Sequence, residues 1–336
     1  MRRIIALILA IVMTLSATLL LSSCGKQGEQ GIQGEQGVQG EKGEKGDDGV
    51  GITKMEIVNG QLIVTYSDGV VQNLGNIIVG EEGMQGLEYY PLPDGTYGVK
   101  MGTTKYLETV EIPATYLGKA VTKILEGAFQ NAVNLKNIVI PDSVTDIGEY
   151  AFSHCNSLES VSIGNGVTTI GDYAFSGCES LASVTVSDSV TSIGDYAFAA
   201  CKKLSDVTLG KGLLIIGDRA FYGCTSLTDV TIPDNLTRMG EYAFYGCEKL
   251  ASVTIPDGVT SIYDYAFHGC TYLKTVTIGS GVTYIGSNAF SGCRMLTGMT
   301  YRGTVAQWNA IEKDFSWSNS TAVSTITCTD GTINKQ

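Results

Sequence analysis

The sequence predicts a repeat solenoid, a β-rich stack of coils with a 23-residue period. Three observations carry this. The pair Ala-Phe begins at Ala128, Ala151, Ala174, Ala197, Ala220, Ala243, Ala266 and Ala289, always 23 residues apart. A fixed short period is the mark of stacked supersecondary units. Apolar residues two apart, as at Val161 and Ile163, share one face of a strand. Turn formers then follow at a fixed offset: Pro141-Asp142, Gly164-Asn165-Gly166, Gly210-Lys211-Gly212 and Pro256-Asp257-Gly258. With 336 residues, 43% of them hydrophobic, and only 6 prolines, the chain can bury a long core.

The elements follow in order. Residues 1–23 read as a targeting leader: Arg2 and Arg3, then an apolar run from Ile4 to Leu21. The segment Leu21-Ser22-Ser23-Cys24 resembles a bacterial lipobox, which implies that Cys24 is lipidated and starts the mature chain. An uncleaved membrane anchor is the alternative, because the apolar run approaches spanning length. Either way the protein is tethered to a membrane and faces outward. Residues 24–51 read as a stalk, with glycine at every third position from Gly25 to Gly49. Only glycine fits the axis of a collagen triple helix, and eight such triplets would span roughly 70 Å. No proline stiffens them. Lys42 with Glu44, and Lys45 with Asp47, offer weak charge pairs between chains. A homotrimeric stalk and a flexible hydrated linker both remain open.

Residues 52–80 form a small hairpin module. Met55, Ile57 and Val58 precede the Asn59-Gly60 turn, and Leu62, Val64 and Tyr66 alternate before Ser67-Asp68-Gly69. So small a sheet is marginal alone. It needs either three copies meeting at the stalk or packing on the repeats.

Each column of the repeat has a physical reading. One full copy runs from Leu158 to Ser180. Phe175, Cys178, Leu181, Val184 and Ile193 stand for the core columns. Ser162, Thr185, Thr208, Thr231, Thr254, Thr277 and Thr300 point the other way, as a ladder of hydroxyls. Val167 and Ile170 re-enter the core. Asp172 is expected to cap a short helical turn, with Gly177 closing it in the left-handed region. Coils stacked about 4.8 Å apart build a rod of roughly 40 Å.

The phrases Leu-x-x-Val-x-Ile, Ile-Gly and Ala-Phe-x-x-Cys-x-x-Leu resemble the BspA-type leucine-rich repeats of bacterial surface proteins, from about Leu87 to the C-terminus. The resemblance implies a right-handed, elongated leucine-rich repeat solenoid. Its parallel β-sheet would line the concave face, with short helical turns opposite. It also implies display outside the cell, where members are linked with adhesion to host matrix proteins or other bacteria.

A solenoid needs caps. Residues 87–300 are assigned to the solenoid, with a degenerate first coil over Tyr89 to Ile124. Residues 301–336 form the C-terminal cap. There Thr304 and Gln307 make a capping box, and Val305, Trp308 and Ile311 line one side of a short helix. Trp308 and Trp317 are the only tryptophans in the chain. They are expected to cover the terminal core, with sugar binding as the alternative.

No chemistry emerges from the polar residues. A net charge of −12 argues against nucleic acid as a partner. His154 and His268, the only histidines, lie about five coils or roughly 25 Å apart, and both are expected on the surface. Cys155, Cys178, Cys201, Cys224, Cys247, Cys270 and Cys293 form one column with no metal-site spacing. Their side chains run parallel, so they read as buried free thiols acting as small hydrophobes. Cys328 lies outside the column. No catalytic residues, metal or cofactor are expected.

A binding face should appear where the repeats disagree. Leu214 and Ile215 replace a polar pair, Tyr222 and Tyr245 replace small residues, and Tyr263 replaces a glycine. Tyr272, Tyr284 and His268 lie nearby in sequence. The tyrosine column 150, 173, 196, 242 and 265, broken by Arg219, is expected to cover the turns. The expected function is non-enzymatic binding of an extracellular protein or glycoprotein. A structural spacer or envelope coat component is the alternative, and a cell-wall glycan enzyme is least supported.

Overall fold

A computed structural model describes residues 52–58, 61–67, 69–76, 86–102 and 107–335. The leader, Cys24 and the glycine-triplet run lie outside these described residues. Strands β1 (Ile52–Val58), β2 (Gln61–Tyr66) and β3 (Val71–Asn76) form an antiparallel sheet in the order β1-β2-β3. No helix among the described residues is long and apolar enough to cross a membrane.

From Leu87 onward the chain winds as a parallel β-solenoid. Each coil contributes two short strands. The first is the expected Val-x-Ile segment, as in Ser160–Ser162, which pairs in parallel with Asn137–Val139 so that Val161 lies beside Ile138. The second was not anticipated as a strand. Thr169–Ile170 pairs in parallel with Asp146–Ile147 below and Ser192–Ile193 above. The register steps by one 23-residue repeat, so like residues stack on like.

The core lies between these ladders. Phe175, Cys178, Leu181, Val184 and Ile193 are all buried, as are most of their equivalents along the rod, with Val161 partly exposed. Phe129, Phe152, Phe175, Phe198, Phe221, Phe244, Phe267 and Phe290 stack with ring centroids 5.0 to 5.4 Å apart and planes within 10°. Trp317 ends the stack edge-on, 6.2 Å from Phe290. Ser162, Thr185, Thr208 and Thr231 lie exposed on the outer face of the first ladder.

The expected helical turn is absent. Residues 172 to 177 form successive turns. Their N–H groups alternate in direction. Tyr173, Phe175 and Gly177 donate to the next coil, at Asp195, Ala197 and Ala199, over 2.7 to 2.8 Å. Ala174, Ser176 and Cys178 donate within their own coil, to Gly171, Tyr173 and Phe175. Positive φ at Tyr173 (54°) and Gly177 (74°) turns the backbone this way, and no i→i−4 ladder can form. Asp172 is therefore not a helix cap. Its Oδ1 accepts the N–H of Asp195 in the next coil at 2.8 Å. Gly171 lets the coils close up: a Cβ there would lie 2.8 Å from the Ile147 carbonyl oxygen. Tyr263 takes the equivalent place in a later coil, and nothing in the structure explains the exception.

Antiparallel hairpins occupy both ends. At the N-terminal end, where a degenerate coil was expected, Leu87–Pro91 pairs with Tyr97–Met101, which joins Lys119–Ile124 in parallel. At the other end Thr325–Cys328 extends the first ladder and turns back as Gly331–Asn334. Before it comes α1 (Val305–Ala310), the one α-helix among the described residues. Thr304 and Gln307 form its capping box. Trp308, Ile311 and Trp317 are buried there.

Candidate ligand-binding surface

The alternating turn decides which side chains reach solvent. Ala174, Phe175 and Cys178 point into the core and are fully buried, whereas Tyr173 and Ser176 remain partly exposed. Every coil repeats this turn, so two outer columns run the length of the rod, three residues apart in sequence; where the second holds Ser153, Ala199 or Ser291 the small side chain is buried.

In the first column Tyr150, Tyr173 and Tyr196 stack 4.8 and 4.6 Å apart. Arg219 interrupts the rings without breaking the stack. Its guanidinium lies 5.3 Å from the Tyr196 centroid and 4.3 Å from that of Tyr242, within cation–π range. Tyr265 then stacks on Tyr242 at 4.7 Å. Burial pushes the Tyr242 hydroxyl up in pKa, with Arg219 pulling the other way.

The second column is small in the early coils, with Ser153, Ser176 and Ala199, and then becomes aromatic. Tyr222 and Tyr245 stack at 4.8 Å, and Tyr245 and His268 at 4.9 Å. The columns also touch. Tyr242 lies 5.7 Å from Tyr245, and Tyr265 lies 5.4 Å from His268. Arg219, Tyr222, Tyr242, Tyr245, Tyr265 and His268 thus form one outward-facing layer of rings with a cation at its edge. Tyr222 is 37% exposed and the others are half-buried. Such a layer offers apolar area, hydroxyl groups and little side-chain entropy to lose.

His268 departs from the expectation of an exposed side chain. It is half-buried, and its Nδ1 is sealed from solvent with no hydrogen-bond partner. Burial lowers its pKa, so the neutral ring is favoured and continues the stack as a flat face. His154 is exposed, as expected, in the column of Gly177 with φ 58°.

The other sequence candidates lie elsewhere. Ile215 sits with Leu214 on the second strand ladder, 37% and 42% exposed. There Leu214 interrupts a threonine ladder. Thr168, Thr191, Thr237 and Thr283 each donate Oγ1 to the carbonyl of the coil before. Tyr284 shares the strand column of Ile215, three coils further on. Tyr263 is half-buried in the glycine column, and Tyr272 is exposed in the turn before a first-ladder strand. Sequence reasoning missed that Arg219, Tyr242 and Tyr265 join the layer. The available signal was the three-residue spacing of 242 with 245 and of 265 with 268.

The cysteine column is inert. All seven thiols are buried and free, and so is that of Cys328. Each column thiol donates to the phenylalanine carbonyl of the coil before, as Cys178 does to Phe152 at 3.2 Å. Burial raises the pKa of Cys224 to about 12, far from the range of a reactive thiolate. Among the described residues no three His, Cys, Asp or Glu side chains cluster to hold a metal ion.

A family model described as BspA type leucine rich repeat region, in six copies, matches residues 122–249 and 191–321. Among solved structures, a T. pallidum leucine rich repeat protein is 26% identical with a TM-score of 0.50, over 69% of this chain and 97% of that one. A leucine rich cell surface protein of Faecalibacterium prausnitzii is 25% identical with a TM-score of 0.31, over 68% and 96%. A leucine-rich repeat protein of Bacteroides capillosus is 27% identical with a TM-score of 0.35, over 37% and 94%. No curated protein matches.

Proposed function

Because this chain belongs to the BspA-type leucine-rich repeat family, we propose that it is a non-enzymatic cell-surface scaffold that binds an extracellular protein or glycoprotein. The observation that carries the reading is the ring layer of Tyr222, Tyr245 and His268, packed on Tyr242 and Tyr265. A column that only covered the turns would stay small, as it does at Ser153, Ser176 and Ala199. Three coils instead present stacked rings to solvent, and exposed aromatic surface of this kind is typical of interfaces.

In this reading the leader exports the chain, Cys24 carries the lipid, and the triplet run lifts the solenoid off the membrane. The cell-surface description of the Faecalibacterium prausnitzii relative supports the location. If the triplets wind three chains together, three ring layers act at once, and weak contacts gain avidity.

Residues 25–336 immobilised on a biosensor should bind extracellular matrix glycoproteins or whole neighbouring cells. Changing Tyr222 and Tyr245 together to Ser, the residue of earlier coils, should weaken binding about tenfold or more while the melting curve holds its shape. Binding unchanged in that variant would sink the reading. Absence of any ligand in the screen would favour the spacer alternative.

A further inference from the structure

The last coil breaks the repeat in a chemically specific way. The register that sets Ile285 beside Ile262 sets Lys313 beside Ile285, so a lysine takes the place of a core isoleucine. Phe267 N–H bonds the carbonyl of Ala289, and Phe290 N–H bonds that of Trp317, so a tryptophan takes the place of alanine. A cavity of about 420 Å³ opens at this end, lined by Trp308, Asn309, Lys313, Trp317, Asn334 and Lys335 among others. Its volume lies within the range of small-ligand sites.

Two cations line this cavity. Lys313 Nζ donates to the carbonyls of Trp308 and Ile311, both at 2.7 Å, and lies 5.0 Å from the Trp308 ring centroid. Lys335 Nζ donates to the Ser318 carbonyl at 2.8 Å and to Thr321 Oγ1 at 2.9 Å, 5.8 Å from the Trp317 ring. An ammonium carries three donors, so each keeps one. Among the described residues neither lysine has a carboxylate within ion-pair distance, although the chain as a whole carries −12. Both side chains are half-buried, and burial lowers both pKa values. A bound anion would offset that desolvation.

We propose that this C-terminal cavity binds an acidic sugar, its carboxylate held by the free donors of Lys313 and Lys335 and its hydroxyls by the amides of Asn309 and Asn334. The tryptophans are buried beneath the lysines rather than presented as open faces. The walls therefore suit a polar, hydroxylated ring better than an apolar peptide side chain.

The chain supplies its own probe. Trp308 and Trp317 are its only tryptophans, so emission excited selectively at the indoles, beyond the absorption of the 17 tyrosines, reads this cavity alone. Residues 25–336 are titrated with glucuronate, glucose, acetate and sulfate at constant ionic strength. Glucuronate should change the emission saturably, and the other three should not at equal concentration. Lys313→Ile restores the residue of the repeat and so should fold, yet bind glucuronate about tenfold more weakly, the loss expected of one charge-assisted hydrogen bond. Lys335→Met, which keeps the stem over Trp317, should do the same. No saturable change, an equal response to acetate or sulfate, or unaltered affinity in both variants would each overturn the proposal.

Discussion

Raising the pH should unfold this solenoid through its cysteines. The thiols of Cys178, Cys201, Cys224, Cys247 and Cys270 are buried, and burial holds each pKa well above the ordinary value; Cys224 moves from 9.0 to about 12. A group whose folded pKa is raised contributes stability fully below its unfolded pKa and loses it as pH rises toward the folded one. For Cys224 that window runs from 9.0 to about 12. At about pH 10 an unfolded thiol is roughly ten parts thiolate to one part thiol, which favours the unfolded chain by about 1.4 kcal/mol. The other four thiols are raised by the same burial, so their losses act in the same direction. The assay is urea unfolding with reductant present, at pH 7.5 and pH 10, for the native sequence and for Cys224→Ala. Ala132 already occupies the column in an early coil, so alanine is tolerated there. Tyrosines and lysines titrate alike in both proteins. The alkaline loss should therefore shrink by about 1 kcal/mol in the variant. An equal loss in the two proteins would refute the reasoning.

Other outcomes follow from the same columns. Phe221→Ala removes a ring from between Phe198 and Phe244 and should destabilise by about 3 to 5 kcal/mol in urea unfolding; a loss below about 1 kcal/mol would mean that the stack repacks. The Asp314 carboxyl is held below the usual carboxylate range by hydrogen bonds from the Ser316 hydroxyl and N–H. Its contribution is present above the unfolded pKa and fades as pH falls through the folded one, so Asp314→Asn should flatten the acid limb of the melting-temperature profile.

The repeat was legible because its columns are tied to strict residue types. Phe175 and Cys178 recur in place because a buried column tolerates few volumes, and Gly177 recurs because its φ of 74° suits glycine. The fate of Asp172 was not legible. An aspartate followed by Ala-Phe and a closing glycine spells a capped helix as well as it spells this turn. What decides between them is the positive φ of Tyr173, and tyrosine carries no signal for that region. Gly127 and Asn288, in the same column at φ 61° and 54°, are the residues that hint at it. The ring layer was half-legible. Tyr222, Tyr245 and His268 stood out by replacing small residues, but their contact with Tyr242 and Tyr265 depends on the turn. Lys313 was hidden by an insertion, since it follows its partner Ile285 by 28 residues instead of 23.

In-register stacking makes this protein a ruler. Adding or removing one 23-residue unit leaves every ladder continuous, because the new rung meets the same neighbours as the old. Length then changes in steps of about 4.8 Å, with no new interface to invent. A second copy of residues 270–292, inserted after Gly269, would move the ring layer and the C-terminal cavity apart by one such step while altering neither. Gene duplication can thereby set the spacing between two contact points independently of their chemistry.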